Sequence, residues 1–114
     1  MSTPLLENWG VQVRKGVLEL CVLTVIAAGR QYGYEVVKRL GAIRGLGISE
    51  GTIYPLLSRL RRDGLVETTL EESVEGPARK YYRLTAAGRD HLRGMSHHWG
   101  ELVKGVATLK QERN

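Results

Sequence analysis

The sequence predicts a mainly α fold carrying one small β-hairpin, and three observations lead to it. Four segments before residue 64 carry their apolar residues in helical patterns. Across residues 65–84 the period drops to two, with Gly76-Pro77 between the halves. After Thr85 a helical pattern returns and holds to about residue 110.

Bulk properties set the frame. A length of 114 residues suits one domain with a real core. Apolar residues at 42% and charged residues at 25% are globular proportions, which excludes disorder as the main state. No apolar run approaches the ~20 residues of a membrane span. The start, MSTPLLENWG, has no basic region followed by an apolar block, so a cytoplasmic protein without membrane contact is expected. Cys21 is the single cysteine. It lies in an apolar run and reads as a small buried hydrophobe whose thiol is unreactive. Lys and Arg number 17 against 12 Asp and Glu, for a net +5 and a pI near 9.7. That balance suggests a polyanionic partner.

The elements follow in order. Residues 4–9 (PLLENW) predict a short helix with Leu5, Leu6 and Trp9 on one side. Residues 11–29 predict a second helix, apolar almost all round from Val17 to Ile26 and stopped by Gly29. A third runs from about Tyr34 to Arg44 on Val36, Val37, Leu40 and Ile43, and Gly45-Leu46-Gly47 breaks it. Ser49, or alternatively Thr52, caps the next helix, which Gly64 ends. Residues 65–72 and 79–84 read as strands joined by a long loop, SVEGPA. Thr85 caps the final helix, about 37 Å long at ~1.5 Å per residue.

The helix over 49–63 has two different sides. Ile53, Leu56, Leu57 and Leu60 form an apolar stripe. Opposite it fall Gly51, Tyr54, Pro55, Ser58 and Arg62, with Arg59 and Arg61 on the flanks. A helix, a Gly-containing turn, this helix and a hairpin make a winged helix-turn-helix, whose second helix enters the DNA major groove. Gly51 lets backbone approach closely and leaves room at the carbonyl that the Pro55 ring would crowd. Tyr54 and Ser58 are able to bond phosphates or base edges, and the arginines suit phosphates. In the hairpin, Arg79 or Lys80 is expected to reach phosphate. Glu67, Glu71, Glu72 and Glu75 keep the loop tip from being the main anchor, and cross-strand pairing is the plainer use of these charges.

Leu92, Met95, Trp99, Leu102, Val106 and Leu109 are spaced 3, 4, 3, 4, 3 on the final helix. This a/d-type seam predicts homodimerisation, because the preceding domain already has a core. Packing of the helix on its own domain is the plainer alternative.

The segments Gly33-Tyr34-Glu35, GTIYPLLSRLRRDGLV and RKYYRLTAAG resemble the PadR-like family of winged-helix transcriptional regulators, over most of the chain from Arg14 onward. The short C-terminal helix is similar to that of the small subclass. The resemblance implies dimerisation through the first and last helices, which adds Leu5, Leu6 and Trp9 to the interface. It further implies a repressor released by a small molecule. In multidrug-binding members a last-helix tryptophan stacks flat aromatic ligands. Trp99, in HHWGEL, stands where that residue would be, with Val17 and Cys21 lining the same space; otherwise Trp99 is simply the largest seam residue. One departure is Gly76-Pro77-Ala78, where many relatives carry another basic residue, and it bears on whether the wing tip inserts.

The expected architecture is thus a winged helix-turn-helix in 1–84 and a dimerisation helix in 85–114. The DNA face comprises Ser49, Gly51, Thr52, Tyr54, Pro55, Ser58, Arg59, Arg62, Arg79 and Lys80, reading a pseudo-palindromic operator on double-stranded DNA. No enzyme, cofactor or metal site is expected: HExxH, CxxC and a Gly-rich phosphate loop are all missing from the sequence. The alternative is a dimeric protein- or RNA-interaction module without operator specificity. A scaffold would not need Gly51, Tyr54, Pro55 and Ser58 opposite an apolar stripe.

Overall fold

The computed structural model describes residues 2–112. Residues 1, 113 and 114, which fall within the expected ranges 1–84 and 85–114, lie outside the described residues. The order is α1 (Pro4–Ala27), β1 (Gln31–Tyr32), α2 (Gly33–Gly41), α3 (Glu50–Arg62), β2 (Val66–Ser73), β3 (Gly76–Leu84) and α4 (Ala86–Glu112). The fold is mainly helical with a three-stranded antiparallel sheet ordered β1-β3-β2.

The two expected N-terminal helices are one. Thr3 caps α1, its hydroxyl accepting from the Leu6 amide at 3.1 Å, and Pro4 follows at the first helical position. Gly10 costs helix propensity of about 1 kcal/mol but brings no turn chemistry, so the helix runs through it. Gly29 follows the capping residue Ala28, as expected. In contrast, α2 stops at Gly41, three residues before the expected Arg44. The turn to α3 is therefore longer than expected, with Gly45 and Gly47 both at positive φ.

Ser49 is the N-cap of α3, which puts Pro55 in the second turn rather than the first. The missing Pro55 N–H leaves the exposed Gly51 carbonyl to solvent. The helix ends in a Schellman motif. The Leu65 amide reaches the Leu60 carbonyl at 3.0 Å and the Gly64 amide the Arg61 carbonyl at 3.0 Å, with Gly64 at φ +76°.

The hairpin turn is tight, not the long loop expected. Ser73 pairs with Gly76, and Gly76-Pro77-Ala78 belong to β3. The short strand β1 pairs Gln31 with Tyr82 and Tyr32 with Tyr81, tying the start of α2 to the wing. Thr85 caps α4, its hydroxyl accepting from the Gly88 amide at 2.9 Å and donating to the Gly64 carbonyl at 2.6 Å.

The core draws on every element except β1 and α4: Val22, Leu23 and Ile26 of α1, Val36 and Leu40 of α2, Ile53, Leu57 and Leu60 of α3, and Val66, Tyr82 and Leu84 of the sheet. Three of the four stripe residues of α3 are thus buried, and Leu56 packs at the margin. Leu92 and Met95 rest on this core from α4. Beyond them α4 projects. The radius of gyration is 16.6 Å, against about 13 Å for a compact chain of this length, and the longest axis is 59 Å.

Candidate nucleic-acid interface

Burial of its apolar stripe aims the other side of α3 at solvent. Gly51, Thr52, Tyr54, Pro55, Ser58, Arg59, Arg61 and Arg62 are all exposed. At the start of the helix the Ser49 and Thr52 hydroxyls face each other at 3.3 Å, while the Ser49 carbonyl accepts from the amides of Thr52 and Ile53. A Cβ on Gly51 would meet only the Ser49 hydroxyl, at 3.7 Å, so this stretch of backbone is open to a partner.

The arginines divide. Arg62 and Arg61 join Ser58, Lys80 and Tyr82 around a hollow of about 320 Å³ between α3 and the wing. Arg59 turns the other way, to Glu19 of α1 at 3.5 Å and Asp63 at 3.4 Å. The hollow thus gathers Ser58, Arg62 and Lys80 of the expected DNA face, and Arg61 in place of Arg59. Glu19 also lies 3.8 Å from His91 of α4, so one carboxylate stands between α3 and α4.

The two faces of β3 behave differently, as strand alternation requires. Tyr82 and Leu84 enter the core, and Lys80, next along the same face, emerges beside α3. On the other face Arg83 binds Glu67 at 2.7 Å, Arg30 pairs with Glu71, and the Arg30 guanidinium lies 4.1 Å from the centre of the Tyr81 ring. Cross-strand pairing therefore accounts for Arg83. Arg79 instead lies over the Tyr32 ring, 4.6 Å from its centre.

A second hollow, about 280 Å³, is lined by Tyr32, Gly33, Tyr34, Tyr54, Arg79, Lys80 and Tyr82. Neither Tyr32 nor Tyr34 was singled out as a site residue from sequence. The available signal was the glycine between them: a Cβ on Gly33 would sit 2.6 Å from Tyr54 Cε1, so only glycine lets the Tyr54 ring lie against the start of α2. Burial, then the nearby Glu50, raise the Tyr54 phenol above its ordinary pKa.

Away from this surface, α1 and α4 form an apolar groove. Val13, Gly16, Val17, Leu20, Met95, His98, Trp99 and Leu102 line about 440 Å³ of it. An adjoining hollow of about 560 Å³ adds Cys21, Thr24, Ile43 and Ser96 beside Val17 and Trp99. Trp99, Val17 and Cys21 thus border one space. Cys21 is half-buried rather than fully buried, and desolvation raises its thiol pKa. The seam splits. Leu92 and Met95 are partly covered by the core, whereas Trp99 is 42% exposed, Leu102 59% and Leu109 66%, with Val106, Leu5, Leu6 and Trp9 also uncovered.

A recognition-type helix with its apolar stripe buried, a wing beside it and cations between them define the winged helix-turn-helix class of DNA-binding folds. Residues 22–94 match the model of the Transcriptional regulator PadR-like family, and the chain belongs to that family. A PadR-like transcriptional regulator of Bacillus cereus is 42% identical, with a TM-score of 0.79 over 88% of this chain and 97% of that one. A PadR family regulator of Eggerthella lenta is 33% identical, with a TM-score of 0.81 over 92% and 91%. A transcriptional regulator of Mycobacterium tuberculosis is 35% identical over 71% of this chain and 74% of its own length. The protein is accordingly a transcriptional regulator, and these relatives are regulators rather than enzymes. No helix among the described residues is long and apolar enough to cross a membrane.

Proposed function

We propose that the chain acts as a homodimeric, operator-specific repressor, with a winged helix-turn-helix head in residues 1–84 and a dimerisation helix in 85–114. The observation that carries this reading is the hollow of Ser58, Arg61, Arg62 and Lys80 opposite the buried stripe of α3. Three cations and a hydroxyl on one concave surface match the phosphate backbone. Tyr54 and Ser58 stand beside them to meet base edges. Arg79 and Lys80 bring the wing to the same strand.

The uncovered faces of α1 and α4 supply the second half of the reading. Leu5, Leu6 and Trp9 with Trp99, Leu102, Val106 and Leu109 make an apolar area that a solvated monomer would not keep. Pairing through them sets two recognition helices about 34 Å apart, one turn of DNA, on a pseudo-palindromic operator. A flat aromatic effector fits beside Trp99, Val17 and Cys21. It would release the operator through unequal affinity for two arrangements of the heads.

The test is a titration against duplex DNA from upstream of the protein's own gene, beside a scrambled duplex, at several salt concentrations. A strong preference for the native duplex with a steep salt slope is expected. Equal, weak binding to both would overturn the reading in favour of a dimeric interaction module. Trp99 fluorescence quenching by planar aromatic compounds tests the effector groove separately.

A further inference from the structure

We infer that the hollow between the start of α2, Tyr54 and the root of the wing is a second backbone-phosphate site. This inference rests on the DNA-binding reading above and adds α2 to it.

The hollow has the chemistry of a phosphodiester pocket. Tyr32, Tyr34 and Tyr54 each bring a phenol able to donate a hydrogen bond, and Arg79 and Lys80 bring two positive charges. None of its lining residues, among the described residues, is acidic. Two acids stand outside it: Glu35, occupied in accepting from the Tyr32 amide at 2.9 Å, and Glu50, near the Tyr54 phenol. Arg79 is steered inward by the Tyr32 ring beneath it, and the Tyr32 and Tyr34 rings stack with centres 6.4 Å apart. The groups are thus arranged before any ligand arrives.

Its position suits one strand of DNA. Lys80 and Tyr82 border this hollow and also the one lined by Ser58, Arg61 and Arg62. The two hollows are therefore adjacent, with the Lys80 ammonium between them. Sharing Lys80 and Tyr82, they lie side by side, as sites for successive phosphates of one strand must. In helix-turn-helix proteins the helix before the recognition helix crosses the DNA backbone, and Tyr32–Tyr34 is where α2 begins. Gly33 connects the two tasks. Because the Tyr54 ring lies on it, phosphate capture at α2 and base reading by α3 share a side chain.

The experiment compares the parent protein with Arg79→Gln and Tyr34→Phe on the operator and a scrambled duplex across a salt series. Arg79→Gln should weaken both duplexes by about tenfold and lower the salt slope by about one. Tyr34→Phe should weaken both a few-fold without changing the slope, because a neutral donor releases no counterion. A single uncharged methylphosphonate is then moved through the operator. At one position the parent should lose at least as much as Arg79→Gln costs, and the variant, left with Lys80, should lose less than the parent. If the parent binds the operator and both variants match it, the pocket is not a phosphate site. Loss on the operator alone would make it a base-reading surface, which also overturns the inference. A parent that binds neither duplex overturns the DNA-binding reading itself.

Discussion

Gly88→Ala should destabilise the protein although alanine is the better helix former. Gly88 lies in the first turn of α4 and is buried. A Cβ there would sit 1.9 Å from the Leu65 carbonyl oxygen and 2.9 Å from its carbon, and ordinary contact begins near 3.4 Å. What must move is backbone. The same Leu65 carbonyl accepts from the Thr85 amide at 3.1 Å, and the Thr85 hydroxyl bonds the Gly64 carbonyl at 2.6 Å. Parting the two chains therefore loosens the clamp between α4 and the end of α3. Overpacking of this kind costs about 3 kcal/mol, at the upper end of its usual range. A lost hydrogen bond adds about 1 kcal/mol, and alanine's helix preference offsets about 1 kcal/mol. The net is roughly 3 kcal/mol, or a melting temperature lower by about 10 °C. Thermal unfolding followed by circular dichroism at one fixed protein concentration reads this out. Gly94→Ala, in the same helix with nothing within 4 Å of the added carbon, should instead stabilise by about 0.5–1 kcal/mol. Equal melting temperatures for the two variants would refute the close approach.

Three further outcomes follow from particular contacts. Burial, reinforced by Tyr54 and opposed by Arg61, raises the Tyr82 phenol. Its stabilising contribution is whole below the unfolded value of about 10 and is lost as pH rises through the higher folded value. Urea midpoints for Tyr82→Phe should accordingly fall less steeply with alkaline pH than those of the parent. Glu19→Gln leaves Arg59 only its Asp63 partner and removes a negative charge near the proposed DNA face, so duplex binding should tighten a few-fold. Stability should change by no more than about 1 kcal/mol, because the pairs are partly exposed. Leu102→Asp with Val106→Asp should halve the mass seen by sedimentation equilibrium at micromolar protein, with the helical content of the head retained.

What the sequence could reveal was whatever repeats with a period. The stripe of α3, the alternation of β3 and the helical period of α4 are periodic, and each was legible. Ser49, Gly64 and Thr85 were also legible, because caps follow from local residue types. Three features were not. The continuity of α1 through Gly10 turns on a balance between one glycine's propensity and the packing on either side. The pairing of Gln31 and Tyr32 with β3 is a two-residue strand, too short to show alternation. The tight wing turn was masked by Gly76 and Pro77, which read as loop punctuation but sit within an exposed strand. At the candidate interface, the exchange of Arg59 for Arg61 was invisible for a similar reason. Helical spacing puts both on the flanks of α3, and the tertiary position of Glu19, beside the local Asp63, draws Arg59 away.

The unbroken α1 has a mechanical consequence. Val22, Leu23 and Ile26 embed one end of it in the head, while Leu5 and Trp9 lie far out on the other. Its 24 residues span about 36 Å, with no joint between. It is a lever with its load and its handle on a single rod. A tilt of about 5° would sweep the far end through an arc of about 3 Å. One step along a DNA strand is about 3.4 Å. In the proposed dimer, with the outer end of α1 held by the partner, the same tilt would instead displace the head by about 3 Å, close to one such step.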